Sequence, residues 1–415
     1  MLESGARLTP EPIAPTARVA PIAPVAVRAH GLAAATGVGL PSLAAAVTGG
    51  TSALQANTFT RAPLPAWIGR IPGLESTPLP PPLRAWDCRA TRAAWLGLQA
   101  DDFIAAAQAA VQRHGAARVG LVLGTSASTI AVSEAAYAAP AADGGFPAAV
   151  RSEALNNLHA VTLFVQQATG LQGPSSTVST ACSSSAKAFA VAERWLRLQI
   201  ADAVVVGGVD ALCDSVLFGF NALGLIAPAP CRPFAAARDG ISVGEAAGFA
   251  LLERGAGAVQ LLGHGESNDA HHMSSPHPQG LGAERALDAA LARAGLQAGA
   301  VEHVNLHGTG TPRNDAVEAA LVARRYRADV HASATKGLTG HTMGAAGIVE
   351  ALLCLMALDS GVLPGSAQVM AVDPALGEPF ARQLQLQPAR RAVRVAASHS
   401  FGFGGNNAVL IFGQV

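Results

Sequence analysis

The chain has 415 residues, half of them apolar and 13% charged, with Lys plus Arg equal to Asp plus Glu. That length exceeds one simple core and suits two fused domains or one duplicated fold. A net charge of zero gives no general pull towards nucleic acid or an anionic membrane. The five cysteines (Cys88, Cys182, Cys213, Cys231 and Cys354) are scattered and contain no CxxC pair. This argues against a disulfide framework or a zinc site and for a reducing cytoplasm.

Residues 1–24 alternate Pro with charged residues, lack the apolar core of a signal peptide, and read as a flexible lead-in. The charge-free stretch 29–60 is broken by Gly and Pro and reads as strand, loop and helix rather than a membrane span. Residues 25–29 predict a first strand and 41–47 a helix start, while the Pro-rich stretch 61–82 predicts a surface excursion. A helix is predicted over 99–113 and a buried strand over 118–124. Residues 176–181 are strand-like, 183–198 hold neither Pro nor Gly and predict a helix, and 203–208 form another apolar strand. Cys182 falls at that strand-to-helix junction.

The later half repeats the style. Helices are predicted over 280–294, 315–326 and 344–358, and strands over 301–306, 332–335, 394–398 and 408–412. Two halves of alternating strands and helices imply a layered α/β fold with internal duplication, divided as 25–254 and 255–415.

Three clusters carry chemistry. A helix N-terminus lowers a thiol's pKa, so the position of Cys182 favours the nucleophilic anion. His307 in Leu-His-Gly-Thr-Gly-Thr and His341 in Thr-Gly-His-Thr-Met-Gly each lie beside glycine, which lets a substrate reach the ring. Phe401-Gly-Phe-Gly-Gly-Asn-Asn407 lacks the GK[ST] ending of a phosphate loop and precedes a strand, so an oxyanion-binding or gating loop fits better. His271, His272 and His277 show no metal spacing and read as structural or pocket-lining.

Taken in order, these segments resemble the signature set of β-ketoacyl–acyl-carrier-protein synthases of the Cys-His-His elongating type: Ser179-Thr-Ala-Cys-Ser-Ser-Ser185, Val304-Asn-Leu-His-Gly-Thr-Gly-Thr311, Lys336-Gly-Leu-Thr-Gly-His341, Gly344-Ala-Ala-Gly-Ile-Val-Glu350 and Ser400-Phe-Gly-Phe-Gly-Gly405. Cys231-Arg-Pro-Phe234 and residues 238–245 are similar to the family too, and the likeness spans residues 25–415. The resemblance implies a thiolase-like αβαβα fold and decarboxylative Claisen condensation. Cys182 would carry the acyl group, and His307 and His341 would stabilise the enolate formed from a malonyl thioester. The backbone N–H groups of Cys182 and Phe403 would hold the oxyanion. Lys336 would order the site with Glu350 as its charge partner, and Asp315 and Glu318 would back it. Thr309 and Thr311 would contact pantetheine or malonyl, Phe403 would gate, and Phe220 would line the acyl pocket. The implied partners are an acyl carrier protein, which brings its own 4′-phosphopantetheine, and a second subunit in a homodimer or a heterodimer with a chain-length-factor-like paralogue. No cofactor or metal of its own is expected, and no nucleic-acid or membrane partner. Residues 182–187 and 240–250 look most like synthases of aryl polyene or xanthomonadin-type pigment clusters.

His399 stands where many relatives have Asn. Some relatives hold a monovalent cation near the positions of Asn305 and Glu350, so His399 weighs against that ion here. Asn406 replaces a frequent Thr. Residues 61–151 match the family poorly. Three other readings are weighed: a thiolase, which needs a second cysteine that the C-terminal glycine loop lacks; a non-catalytic chain-length factor, which commonly loses the nucleophile; and a Cys-His-Asn starter synthase, which would carry Asn where His341 stands.

Overall fold

The computed structural model describes residues 19–139, 144, 145, 147 and 155–414. Most of the expected lead-in, and part of the poorly matching stretch 61–151, lie outside the described residues.

Two mixed sheets organise the chain. The first runs Gly37–Val38, Val25–Ala34, Ala246–Arg254, Ala203–Asp210, Val119–Gly124 and Ser175–Val178 from edge to edge. The second runs Val259–Asn268, Asn406–Gln414, Val395–Gly402, His303–Leu306 and His331–Ala334. Setting aside the short Gly37–Val38 ribbon, both sheets read 1-5-4-2-3 by order of appearance. In both, the pairs 1–5 and 5–4 are antiparallel. The pairs 4–2 and 2–3 are parallel. Each first strand even carries an irregularity at a similar point, between Val27 and Ala29 and between Leu261 and Gly263. This is the duplicated α/β architecture expected from the alternating pattern.

Two helices lie between the sheets: Ser184–Arg197 and Ala346–Ser360. The second is buried on every face from Ala346 to Leu358, which is why its sequence shows no amphipathic period. By length and composition Met343–Ser360 could cross a membrane, but nearly all of it is enclosed by protein. The helices approach closely because Gly347 lacks a Cβ; one built there would meet the Ala186 nitrogen at 2.5 Å. One core joins the inner sheet faces to these helices. Two outer cores seat the flanking helices Arg89–Gln99, Phe103–His114 and Ala160–Thr169 on one side, and Leu281–Ala294 and Pro312–Arg325 on the other. The result is five layers, αβαβα.

Two local expectations are corrected. Residues 61–82 are not a surface excursion: Ile68, Ile71, Leu74 and Leu79 are buried, and Trp67–Gly69 pairs with Leu54–Ala56 and Val243–Gly244. The prolines read as a surface loop, but alternating apolar residues anchor the segment. The helix expected over 99–113 is present but starts only at Phe103 and runs to His114, because Asp101 and Asp102 take positive φ and separate it from the preceding helix Arg89–Gln99.

Candidate active site

The nucleophile sits on a strained elbow. Strand Ser175–Val178 ends, Ala181 adopts φ +52°, and the helix begins at Ser184. Such a backbone persists only when its surroundings hold it. Here the Ser184 hydroxyl accepts from the Thr180 N–H at 2.9 Å and donates to the Ala181 carbonyl at 2.6 Å. The Ser185 hydroxyl accepts from the Ile348 N–H of the other central helix at 2.9 Å. Gly124 leaves the room needed, since a Cβ there would fall 2.2 Å from the Ser185 nitrogen.

From the second half come two imidazoles. His307 follows the second strand of that half, and His341 follows the third. His341 Nε2 lies 3.0 Å from Cys182 Sγ, and the two rings stand 5.4 Å apart at 88°. The sulfur and one nitrogen of each ring lie within 4.8 Å of one another.

The hydrogen-bond partners fix the tautomers. The Met343 N–H donates to His341 Nδ1 at 3.1 Å, so the ring hydrogen stands on Nε2 and points at sulfur. Lys336 Nζ lies 3.2 Å from His307 Nδ1, again leaving the hydrogen on Nε2. That His307 Nε2 is buried without a protein partner and lines the cavity. Both rings therefore present N–H rather than lone pairs, a surface for an anion or carbonyl oxygen rather than for a metal ion.

Lys336 is 2% exposed, and its three ammonium hydrogens have three acceptors: His307 Nδ1, the His307 carbonyl and Glu350 Oε1. The Ser400 hydroxyl donates to the other Glu350 oxygen at 3.3 Å. Glu318 accepts from the N–H groups of His307 and Gly308, both at 2.8 Å. Asp315 accepts from Thr309 N–H at 3.1 Å, Gly310 N–H at 3.2 Å and Phe234 N–H at 2.8 Å. The histidine loop is thus gripped by buried acids on the helix that follows it.

Burial dominates the electrostatics. It holds both imidazoles well below their ordinary range, helped by the Lys336 charge, so they stay neutral donors near pH 7. It pushes Asp315 up to about 6, and Glu350 up to about 7 despite the pull of Lys336. It also pushes the Cys182 thiol up to about 11, outweighing the Lys336 charge and the Phe403 N–H. The expectation of a thiolate favoured by the helix mouth is therefore corrected: with Cys182 8% exposed, desolvation wins.

A cavity of about 400 Å³ opens onto the three groups. Its apolar wall includes Phe220, Leu225, Ile241, Phe401 and Phe403, with Phe220 and Phe403 edge to face at 5.9 Å. Thr309, Thr311, Asn314 and the exposed Arg313 line its polar side, and the two threonine hydroxyls lie 2.8 Å apart. Gly402 packs backbone on backbone against the elbow, a Cβ there falling 3.1 Å from the Cys182 nitrogen. The Cys182 and Phe403 N–H groups both act on the Cys182 sulfur. Of the histidine-rich loop, Ser274, Ser275 and Pro276 reach the cavity wall, while His271, His272 and His277 do not.

Sequence reasoning missed Asp210, which gathers the Thr125 and Ser126 hydroxyls and the N–H groups of Ser126, Ala127 and Gly344. A carboxylate closing an apolar strand was its available signal. The reasoning also missed the partners of His399. That residue turns one nitrogen to Tyr326 and the other to Glu318. Glu350 is engaged by Lys336 and Ser400, and Asn305 Oδ1 accepts from Thr335 at 3.2 Å.

A duplicated five-layer fold with a thiol facing two N–H-bearing imidazoles defines a condensing acyltransferase. The chain belongs to the β-ketoacyl synthase family: residues 90–258 match its N-terminal domain and 259–370 its C-terminal domain. It is 37% identical to nodulation protein E of Rhizobium meliloti (strain 1021) over 312 residues, 72% of this chain and 76% of that protein. It is 36% identical to the mitochondrial 3-oxoacyl-[acyl-carrier-protein] synthase of Arabidopsis thaliana over 268 residues, 59% of this chain and 58% of that one. Its fold is similar to a ketosynthase (ApeO) solved in complex with its chain length factor (ApeC) from Xenorhabdus doucetiae, with TM-score 0.84, 32% identity and 95% and 98% of the two chains covered. Two of the rival readings are not favoured by the site. Cys354, the last cysteine, donates from inside its helix to the Ala397 carbonyl, so no second thiol serves a thiolase reaction there. The intact Cys182–His307–His341 set does not favour a non-catalytic chain-length factor.

Proposed function

We propose that Cys182 accepts an acyl group from an acyl-carrier-protein thioester and that the chain then elongates it with malonyl-carrier protein. The Nε2–H groups of His307 and His341 would bond the malonyl thioester oxygen. As the C–C bond to the carboxylate breaks and carbon dioxide leaves, its electron pair passes into an enolate whose charge the two donors stabilise. The enolate carbon attacks the acyl–Cys182 carbonyl. The oxyanion forms against the N–H groups of Cys182 and Phe403, and collapses with loss of the Cys182 sulfur, which regains a proton. The products are a 3-oxoacyl-carrier protein, carbon dioxide and the free thiol.

The observation that carries this reading is the fixed Nε2–H tautomer of both rings around Cys182 Sγ. Lys336 and Glu350 order the histidines, Glu318 and Asp315 hold their loop, and Thr309 and Thr311 guide the pantetheine arm. Phe403 serves as the gate and Phe220 as part of the acyl wall. The carrier protein supplies the only prosthetic group, 4′-phosphopantetheine. The solved relative's pairing with a chain length factor supports a heterodimer with a paralogue ahead of a homodimer. The setting is cytoplasmic, and the chain divides at residue 254 into two halves behind the lead-in 1–24. Intact-protein mass spectrometry with a panel of acyl-carrier proteins tests the reading. An acyl adduct on Cys182, discharged on adding malonyl-carrier protein, is expected; no adduct, alone or with a paralogue, overturns it.

A further inference from the structure

Behind His307 lies a second buried chain of groups. Tyr326, His399 and Glu318 are 6%, 0% and 1% exposed. The Tyr326 hydroxyl lies 2.8 Å from His399 Nε2, and His399 Nδ1 lies 3.1 Å from Glu318 Oε1. The same Glu318 oxygen accepts the His307 N–H. A carboxylate oxygen only accepts, so His399 carries a hydrogen on Nδ1, and in the neutral ring its Nε2 accepts from the tyrosine. Burial keeps that tyrosine protonated, as the donor this arrangement needs. The His399 ring also lies on Phe401, centroids 5.2 Å apart, and Phe401 meets the His307 ring edge to face at 6.0 Å.

We infer that His399 is a positioning residue for the decarboxylation half of the reaction, bracing His307 through Glu318 at its backbone and through Phe401 at its ring, with Tyr326 fixing the tautomer of the brace. This rests on the proposed role of His307. The nucleophile is held separately: Cys182 answers to His341, whose ring is set by Met343 on another loop. Loss of the brace therefore slows decarboxylation while leaving the thiol alone.

The test uses the full chain with His399→Leu and His399→Asn; the asparagine amide keeps a donor where Nδ1 stood. Two rates are read: carbon dioxide release from malonyl-carrier protein, and alkylation of Cys182 by iodoacetamide. His399→Leu is expected to lower the first about 10- to 100-fold and leave the second within about twofold, and His399→Asn to recover most of the loss. Equal loss in both rates, no loss of release, or no recovery in His399→Asn overturns the inference. If His399→Leu does not fold, Tyr326→Phe decides: slower release with unchanged alkylation supports the brace, and unchanged release overturns it. If the parent chain releases no carbon dioxide, the functional reading fails first. The brace is then judged by 15N shifts of the His307 ring in His399→Asn and Tyr326→Phe against the parent, unchanged shifts in both overturning it and a shift larger in Tyr326→Phe supporting it.

Discussion

The two halves share one topology and do opposite chemistry. In the first, the loop after strand Val119–Gly124 is uncharged and gathered by Asp210, while the third strand leads into Cys182. In the second, the loop after strand His303–Leu306 is His307 itself, gripped by Glu318 and Asp315, and the third strand leads to Lys336 and His341. One half supplies the acceptor sulfur, and the other supplies the donors with the buried charges that orient them. Duplication makes the loops face each other, and divergence gives one face an acceptor and the other its donors.

The largest effect that would break this contrast is loss of the sulfur. Cys182→Ala should abolish acyl loading in mass spectrometry while shifting the melting temperature little, because the change removes one small atom. Persistent condensation would end the account. Next come the donors. His307→Ala or His341→Ala should lower carbon dioxide release about 100- to 1000-fold, the cost of one missing oxyanion donor; for His307→Ala, Cys182 alkylation should stay near the parent rate. Equal loss of every activity would indicate disordered packing instead. The scaffold of the first half is tested by Gly124→Ala, which should cost about 1–3 kcal/mol or more through overpacking against Ser185. Denaturant melts would show it, and an unchanged midpoint would contradict the close approach.

The remaining effect concerns pH. A thiol pushed up to about 11 is protonated at neutrality, so its anion grows about tenfold per pH unit well below that value. Alkylation of Cys182 should therefore climb steadily from about pH 7 to 9, without an acid limb from the histidines, which protonate only well below 6.5. A plateau already present at pH 7 would show that the helix mouth outweighs burial.

That last point marks where sequence reading stopped. The strand–elbow–helix around Cys182 and the glycine-flanked histidines were legible because short local patterns carry them. The Lys336–Glu350 pair and the acids at 315 and 318 came through family likeness. Burial was not legible: it depends on which layers enclose the sulfur, and it reversed the expected direction of the thiol. Residues 61–82 failed for a related reason, since proline suggests a loop without saying what packs over it. His399 was noticed only as a departure, because its partners Tyr326 and Glu318 lie 73 and 81 residues away.

The central claim is that His307 and His341 act as neutral donors on one thioester oxygen beside Cys182. It is tested most directly by carbon dioxide release from malonyl-carrier protein in Cys182→Ala, alone and combined with His307→Ala or His341→Ala. The account predicts release that survives loss of the sulfur and collapses with loss of either ring. Release that is indifferent to both rings would contradict it.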